Sequence, residues 1–270
     1  MAETKVVLIA GASSEIGQAT GQLLAQKRYR VFGTGRNPAS TALNGIEMLA
    51  LDVTSDESVM ACVDTVLQRA GRLDVLINLV SFVIEGAIEE VTLEEAKALF
   101  ETNFFGMLRL VQAVLPAMRD QGGGKIINVS ALSGVVAVPF MGMYTATRFA
   151  VEGATEALWH EAQPFNVQAS LLQIMSPIKT QVFQRSIRSA ARSMDEYQTM
   201  RQRLVNFIRQ STEAGPGPGI VAEAFLGIIE SKSPRIRYQV GPGSTMMMVM
   251  RRMMPDTTFQ RMLARRMLGG

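Results

Sequence analysis

The chain has 270 residues, enough for one large α/β domain or two small ones, and its 47% apolar content is ample for a buried core. Lysine plus arginine number 27 against 24 acidic residues, a net charge of +3 that excludes the strongly basic composition of a nucleic-acid binder. One cysteine, Cys62, and one histidine, His160, exclude an internal disulfide, a cysteine- or histidine-based metal site and Ser-His-Asp chemistry, so no metal is expected.

The run from Val6 to Ala10 is apolar without alternation, the pattern of a strand covered on both faces and therefore of a parallel sheet. It is too short for a signal peptide or a membrane span, and the expectation is a cytoplasmic protein with no membrane span. A glycine-containing turn from Gly11 to Gly17 leads into a helix reaching residue 25. Further strands are expected over 30–33, 47–51, 75–78, 126–130, 168–174 and 236–240. Helices fall between them over 55–70, 92–118 and 144–162, the first two opened by Ser55 and Thr92 ahead of acidic residues. Strand and helix in alternation give an α/β fold, a single doubly wound parallel sheet with helices on both faces and its ligands at the carboxyl ends of the strands.

Residues 1–270 read as one domain with two additions. The segment 176–215 is longer than a crossover needs, is rich in Arg, Met and Phe, and runs into Gly215-Pro216-Gly217-Pro218-Gly219; it is expected to cap the substrate. The tail, 241–270, holds eight methionines and five arginines against one acid, Asp256, from Met246 onward. Closing over an apolar ligand, touching a membrane surface, packing on another subunit and packing within the protein are all open to it. His160, between Trp159 and Glu161, reads as a surface or packing residue.

A strand, a glycine turn and a helix make an anion site, because free backbone N–H groups and the helix dipole point at a bound phosphate. Here the turn Gly11-Ala12-Ser13-Ser14-Glu15-Ile16-Gly17 follows the first strand, Arg36 follows the second and Asp52-Val53 the third. With Asn78 ending the fourth strand, Asn103 in "TNFFG", the strand "KIINVS" and Tyr144 opening "YTATRFAVEGATEAL", the chain resembles the short-chain dehydrogenase/reductase family over roughly residues 5–240. The resemblance implies a single Rossmann-like domain and NAD(P)-dependent ketone reduction or alcohol oxidation. It places Gly11, Ser13, Ile16, Gly17, Arg36, Asp52, Val53, Asn78 and Thr180 at the dinucleotide, with Arg36 where NADP-preferring relatives set a base for the 2′-phosphate. It also implies a homodimer or homotetramer through helices 92–118 and 144–162.

Several family positions are altered. Glu15 replaces the middle glycine of the turn; a charge about 5 Å from a phosphate at an effective dielectric of about 20 costs about 3 kcal/mol. Either its carboxylate takes the anion site or it rotates to solvent. Leu79-Val80-Ser81 follow Asn78 where the family has Asn-Ala-Gly, and Ala131 stands at the catalytic serine, thirteen residues before Tyr144. Ser130 should face the other side of the strand, leaving Ser133 as the stand-in. Arg148 replaces the family lysine four residues after Tyr144, keeping a positive charge on the same helix face but unable to give up a proton. Ile174-Met175 replace the family's sixth-strand turn. Because these changes converge on one cleft, the leading expectation is non-redox chemistry, such as cyclisation, isomerisation or dehydration of an apolar small molecule. In it Tyr144, with Asn103 and Arg148, serves as acid or charge stabiliser, and no cofactor is required. The alternatives are an NADPH-dependent oxidoreductase using Ser133 and Arg148 as substitutes, with NADP as cofactor, and a non-catalytic partner subunit.

Overall fold

The computed structural model describes residues 4–37, 42–43, 45–180 and 187–269. Strand β1 (Val6–Ala10) is buried at every position, as its unbroken apolar run requires. It pairs in parallel with β2 (Arg30–Gly35) on one side and with β5 (Val75–Asn78) on the other. The chain extends the sheet outward from β2 through β4 (Ile46–Ala50) to the antiparallel edge strand β3 (Ala42–Leu43). In the other direction it runs from β5 through β7 (Gly124–Ala131) and β8 (Val167–Ile174) to β10 (Arg237–Val240). All pairings but that of β3 are parallel, and the order reverses between β1 and β5, which opens a crevice at their carboxyl ends. Ala10, Asn78 and Asn128 are register partners across β1, β5 and β7, so β1 and β5 end at one level beneath that crevice while β7 runs three residues further, to Ala131.

The two faces of the sheet divide the core. Val6, Leu8 and Ala10 face a cluster completed by Val63 of α2 (Asp56–Ala70), Leu110 and Val114 of α4 (Gly106–Asp120) and Val151 of α5 (Gly142–Glu161). Val7 and Ile9 face the opposite cluster, with Leu24 of α1 (Glu15–Gln26) and Phe225 and Ile229 of α7 (Gly219–Glu230). Each fully buried side chain of this kind contributes about 1.5–3 kcal/mol. Ser55 and Thr92 cap helices as their positions predict, and Thr92 forms a reciprocal capping box with Glu95.

The helix expected over 92–118 is three pieces: α3 (Leu93–Phe100), a π-helical turn (Glu101–Phe105) and α4. The wider turn leaves apolar spacing nearly intact, which is why periodicity reads straight through it. A third cluster lies beyond the sheet edge. Leu204 of α6 (Asp195–Glu213) and Phe259, Leu263 and Met267 of α9 (Asp256–Leu268) pack there on Val83 of β6 (Val83–Glu85) and Met141. Methionines 247, 250 and 254, from α8 (Ser244–Met253) and the residue after it, join the same cluster, so the tail's inner side packs within the protein. β6 pairs with β9 (Ile187–Ser189), and Glu90, fully buried, ties this region to α6 through Arg201 at 2.7 Å and the Met194 amide at 2.8 Å.

Candidate active site

A cavity of about 840 Å³ runs from the glycine turn to the third cluster, within the range of small-molecule sites. At its first end the glycine turn shapes the wall. Gly11 turns the chain with φ +93°, which favours glycine, and its amide donates to Thr34 Oγ1 at 3.2 Å. Ser14 caps α1, accepting from the Gly17 amide at 3.0 Å and donating its hydroxyl to the Gly11 carbonyl at 2.8 Å. A Cβ on Gly17 would lie 2.6 Å from Ala12 Cα and from the Gly11 carbonyl oxygen, so this glycine lets turn and helix touch. Gly11, Ser13, Ser14 and Ile16 line the cavity together with Arg36, Asp52, Val53 and Thr180; Gly17 supports it from behind. Asp52 accepts from the Thr54 hydroxyl at 2.7 Å and amide at 2.9 Å, bonds that hold its carboxyl below the ordinary range, with Arg36 and Arg109 adding to the effect.

Glu15 begins α1 and is not part of this wall. With Ser14 at the cap and its neighbours Ser14 and Ile16 lining the cavity, the Glu15 carboxylate does not fill the anion site. The enlarged residues after Asn78 are likewise accommodated: Leu79 packs against one sheet-face core and Val80 against the other, leaving the cavity open between them. Asn78 donates to Asn128 Oδ1 at 2.7 Å, and Asn128 donates to Thr155 Oγ1 at 3.0 Å, a buried tie from sheet to α5. Among the described residues the Asn78 Oδ1 atom of that tie has no hydrogen-bond partner.

At the second end the wall is built of side chains. Tyr144 and Arg148 lie one turn apart on α5 and both line the cavity. Arg148 is 3% exposed; its Nη1 donates to the Val129 carbonyl at 3.0 Å and its guanidinium carbon sits 5.0 Å from the Tyr144 ring centroid. Among the described residues its buried Nε and Nη2 have no partner, two unmet donors on a cation beside the cavity. Ser133, buried in the turn Leu132–Gly134, lines the same cavity beyond Ala131. The Ser130 hydroxyl is turned toward Gly134, where a Cβ would lie 2.3 Å from it. Asn103, in the π-helical turn, is not in the wall. Its amide grips the Phe82 backbone, accepting from N–H and donating to C=O at 2.9 Å each, and thereby fixes a segment that is.

Phe82, Arg188, Phe207, Ile208, Met246, Met247, Leu263, Arg266 and Met267 also line this end. Arg188 stacks on the Phe82 ring at 4.8 Å. None of them belongs to a local motif; only the methionine-rich composition of the tail pointed toward an apolar contact.

The family model described as short chain dehydrogenase matches residues 5–190, and the chain belongs to that family. It is similar to the 3-ketodihydrosphingosine reductase of Bacteroides thetaiotaomicron, 37% identical over 240 residues that make up 89% of each chain. It is also similar to human retinol dehydrogenase 8, 33% identical over 260 residues, 88% of this chain and 82% of that one. Among solved structures, a short-chain dehydrogenase from Streptomyces avermitilis superposes with a TM-score of 0.80 at 29% identity, covering 91% of this chain and 90% of that one. The structure of ElxO with NADP bound superposes with a TM-score of 0.73 at 22% identity over 90% and 99% of the two chains.

These findings correct two expectations. Cyclisation, isomerisation or dehydration without redox chemistry is overturned by relatives named for reduction and dehydrogenation. The expectation that no cofactor is required falls with it, overturned by the same relatives; the ElxO neighbour, alike in fold, is a complex with NADP. Physically, both expectations rested in part on a cleft blocked by Glu15 and by bulk after Asn78, yet Glu15 is not in the cavity wall, and Leu79, Val80 and Ser81 line the cavity without filling it. Among the described residues no helix is long and apolar enough to cross a membrane.

Proposed function

We propose that this protein is an NADP(H)-dependent oxidoreductase of an apolar ketone or secondary alcohol, an atypical family member in which Ala131, Arg148 and Glu15 depart from the usual motifs. The observation that carries this reading is that Arg148, with two unmet buried donors, shares one cavity with Tyr144, the glycine turn and Arg36. A nucleotide suits those features. Gly11, Ser13 and Ile16 would hold its phosphates, Arg36 its 2′-phosphate, and Arg148 Nε and Nη2 would meet hydroxyls of the nicotinamide ribose, with Thr180 at the carboxamide. The cofactor supplies or accepts the hydride at the substrate carbon.

The chain's own part is proton transfer and orientation. Tyr144 gives its proton to the carbonyl oxygen in reduction and takes it back in oxidation. Arg148, set over the Tyr144 ring, stabilises the tyrosinate with a permanent charge and cannot itself relay a proton. Ser133 takes over orientation of the carbonyl oxygen from the missing hydroxyl at Ala131. Asn103 is a positioning residue acting through Phe82. The segments 176–215 and 241–270 cap the apolar substrate within a single domain. We further infer a cytoplasmic homodimer or homotetramer through the elements spanning 92–118 and 144–162. Titration of NADPH fluorescence tests the reading: saturable binding is expected, weakened about tenfold for NADPH and not for NADH by Arg36→Ala. No binding at millimolar nucleotide removes it.

A further inference from the structure

We propose that the outer face of α8 docks on an anionic lipid surface, so that the substrate end of the cavity opens against the lipid. The helix is apolar on two sides. Met247 and Met250, continued by Met254, face the third core cluster. Met246, Val249 and Met253 follow the same three- and four-residue spacing on another side and are 62%, 53% and 78% exposed. Inward packing explains the first stripe and leaves Val249 and Met253 of the second exposed. Met246 is at once the most cavity-ward residue of that stripe and part of the cavity wall, as are the exposed Pro242 and Gly243 just before the helix, so the stripe borders the cavity's mouth.

Charge selects the partner. From Met246 onward five arginines face one acid. Asp256 pairs with Arg251, and among the described residues Arg252, exposed one turn from Val249, forms no ion pair. An apolar stripe edged by unpaired arginine is the pattern of a helix lying in an interface, with apolar side chains below the headgroups and guanidinium groups among anionic ones. This inference does not depend on the redox reading, and its test has no catalytic readout.

Vesicle co-sedimentation of the full chain compares phosphatidylcholine alone with equal parts phosphatidylcholine and phosphatidylglycerol. Binding is expected to the mixed vesicles only and to be released by high salt. The double variant Val249→Asp/Met253→Asp should lower partitioning at least about tenfold, and Arg252→Glu should lower it several-fold, with the unfolding midpoint unchanged in both. Failure of the wild-type chain to sediment with the mixed vesicles overturns the proposal, as does undiminished binding by the double variant. If the double variant instead changes the sedimentation coefficient without vesicles, the stripe is a contact between copies of the chain and the lipid proposal is wrong.

Discussion

The two ends of the cavity are made by different means. At the end built by the glycine turn the wall takes its shape from the backbone, set by Gly11 in a left-handed conformation, by the Ser14 cap and by Gly17 pressed on Ala12. At the reaction end it is side chain, contributed by α5, α6, α8, α9 and the segment after β5. A backbone wall tolerates change at neighbouring positions, which is how Glu15 sits in the turn without entering the cavity. A side-chain wall has no such latitude, and each replacement there changes the chemistry offered to the ligand.

The largest effect expected from this contrast is at Tyr144. Tyr144→Phe keeps the ring against Arg148 and removes only the proton, so turnover measured at saturating NADPH should fall about 10²- to 10⁴-fold while nucleotide binding stays unchanged. Turnover at the wild-type rate would mean that the proton comes from another group and that the reaction end has been placed wrongly.

Arg148 offers a sharper comparison because its effects on activity and on stability should run in opposite directions. The guanidinium is buried at 3% exposure with two donors unpaired, so in the free protein it bears a desolvation cost. Arg148→Met should lower NADPH-supported turnover about a hundredfold. Its unfolding free energy should be unchanged or higher by about 1–3 kcal/mol, read by denaturant titration without nucleotide. A loss of stability would show that the bond to Val129 and the contact with the Tyr144 ring outweigh the two unmet donors, making Arg148 a structural residue.

The same contrast explains what the sequence reveals. Bounds of β1 and β5 and the caps Ser55 and Thr92 follow from local pattern, because burial on two faces and capping are decided within a few residues. Gly11, Ser13, Ile16, Arg36, Asp52, Val53 and Thr180 were placeable because strand ends in this topology share one edge. Gly17, Asn78 and Asn103 belong to the same motifs yet support the wall from behind; spacing shows that a residue matters and not which way it faces. Phe82, Arg188, Phe207 and Met247 were illegible because only long-range packing of the third cluster brings them together. The blocked cleft expected from Glu15 is absent for a related reason: Glu15 opens α1 outside the cavity wall, a placement that the substitution itself does not announce.

The smallest effect concerns the fastening of α6, and pH reads it. Burial by itself would raise the Glu90 carboxyl, but the bonds from the Met194 and Ala87 amides and from Arg201 outweigh it and hold the group below its ordinary value of 4.5. A carboxylate with a depressed folded value stabilises the protein above the unfolded value and loses that contribution as pH falls through the folded one. Glu85 has the opposite sign: burial and then the nearby Glu90 raise it, with Arg201 opposing, so its ionisation disfavours the folded state as pH rises. Comparing Glu90→Gln with the parent cancels most of that background. The variant should be less stable by about 1–3 kcal/mol at neutral pH, with a gap that is flat down to about pH 5 and closes below it. If nucleotide binding is retained across the same range while Trp-independent probes of α6 loosen, α6 and the glycine-turn end are separately stabilised; a gap that does not change with pH would place the fastening in the shape of Glu90 rather than in its charge.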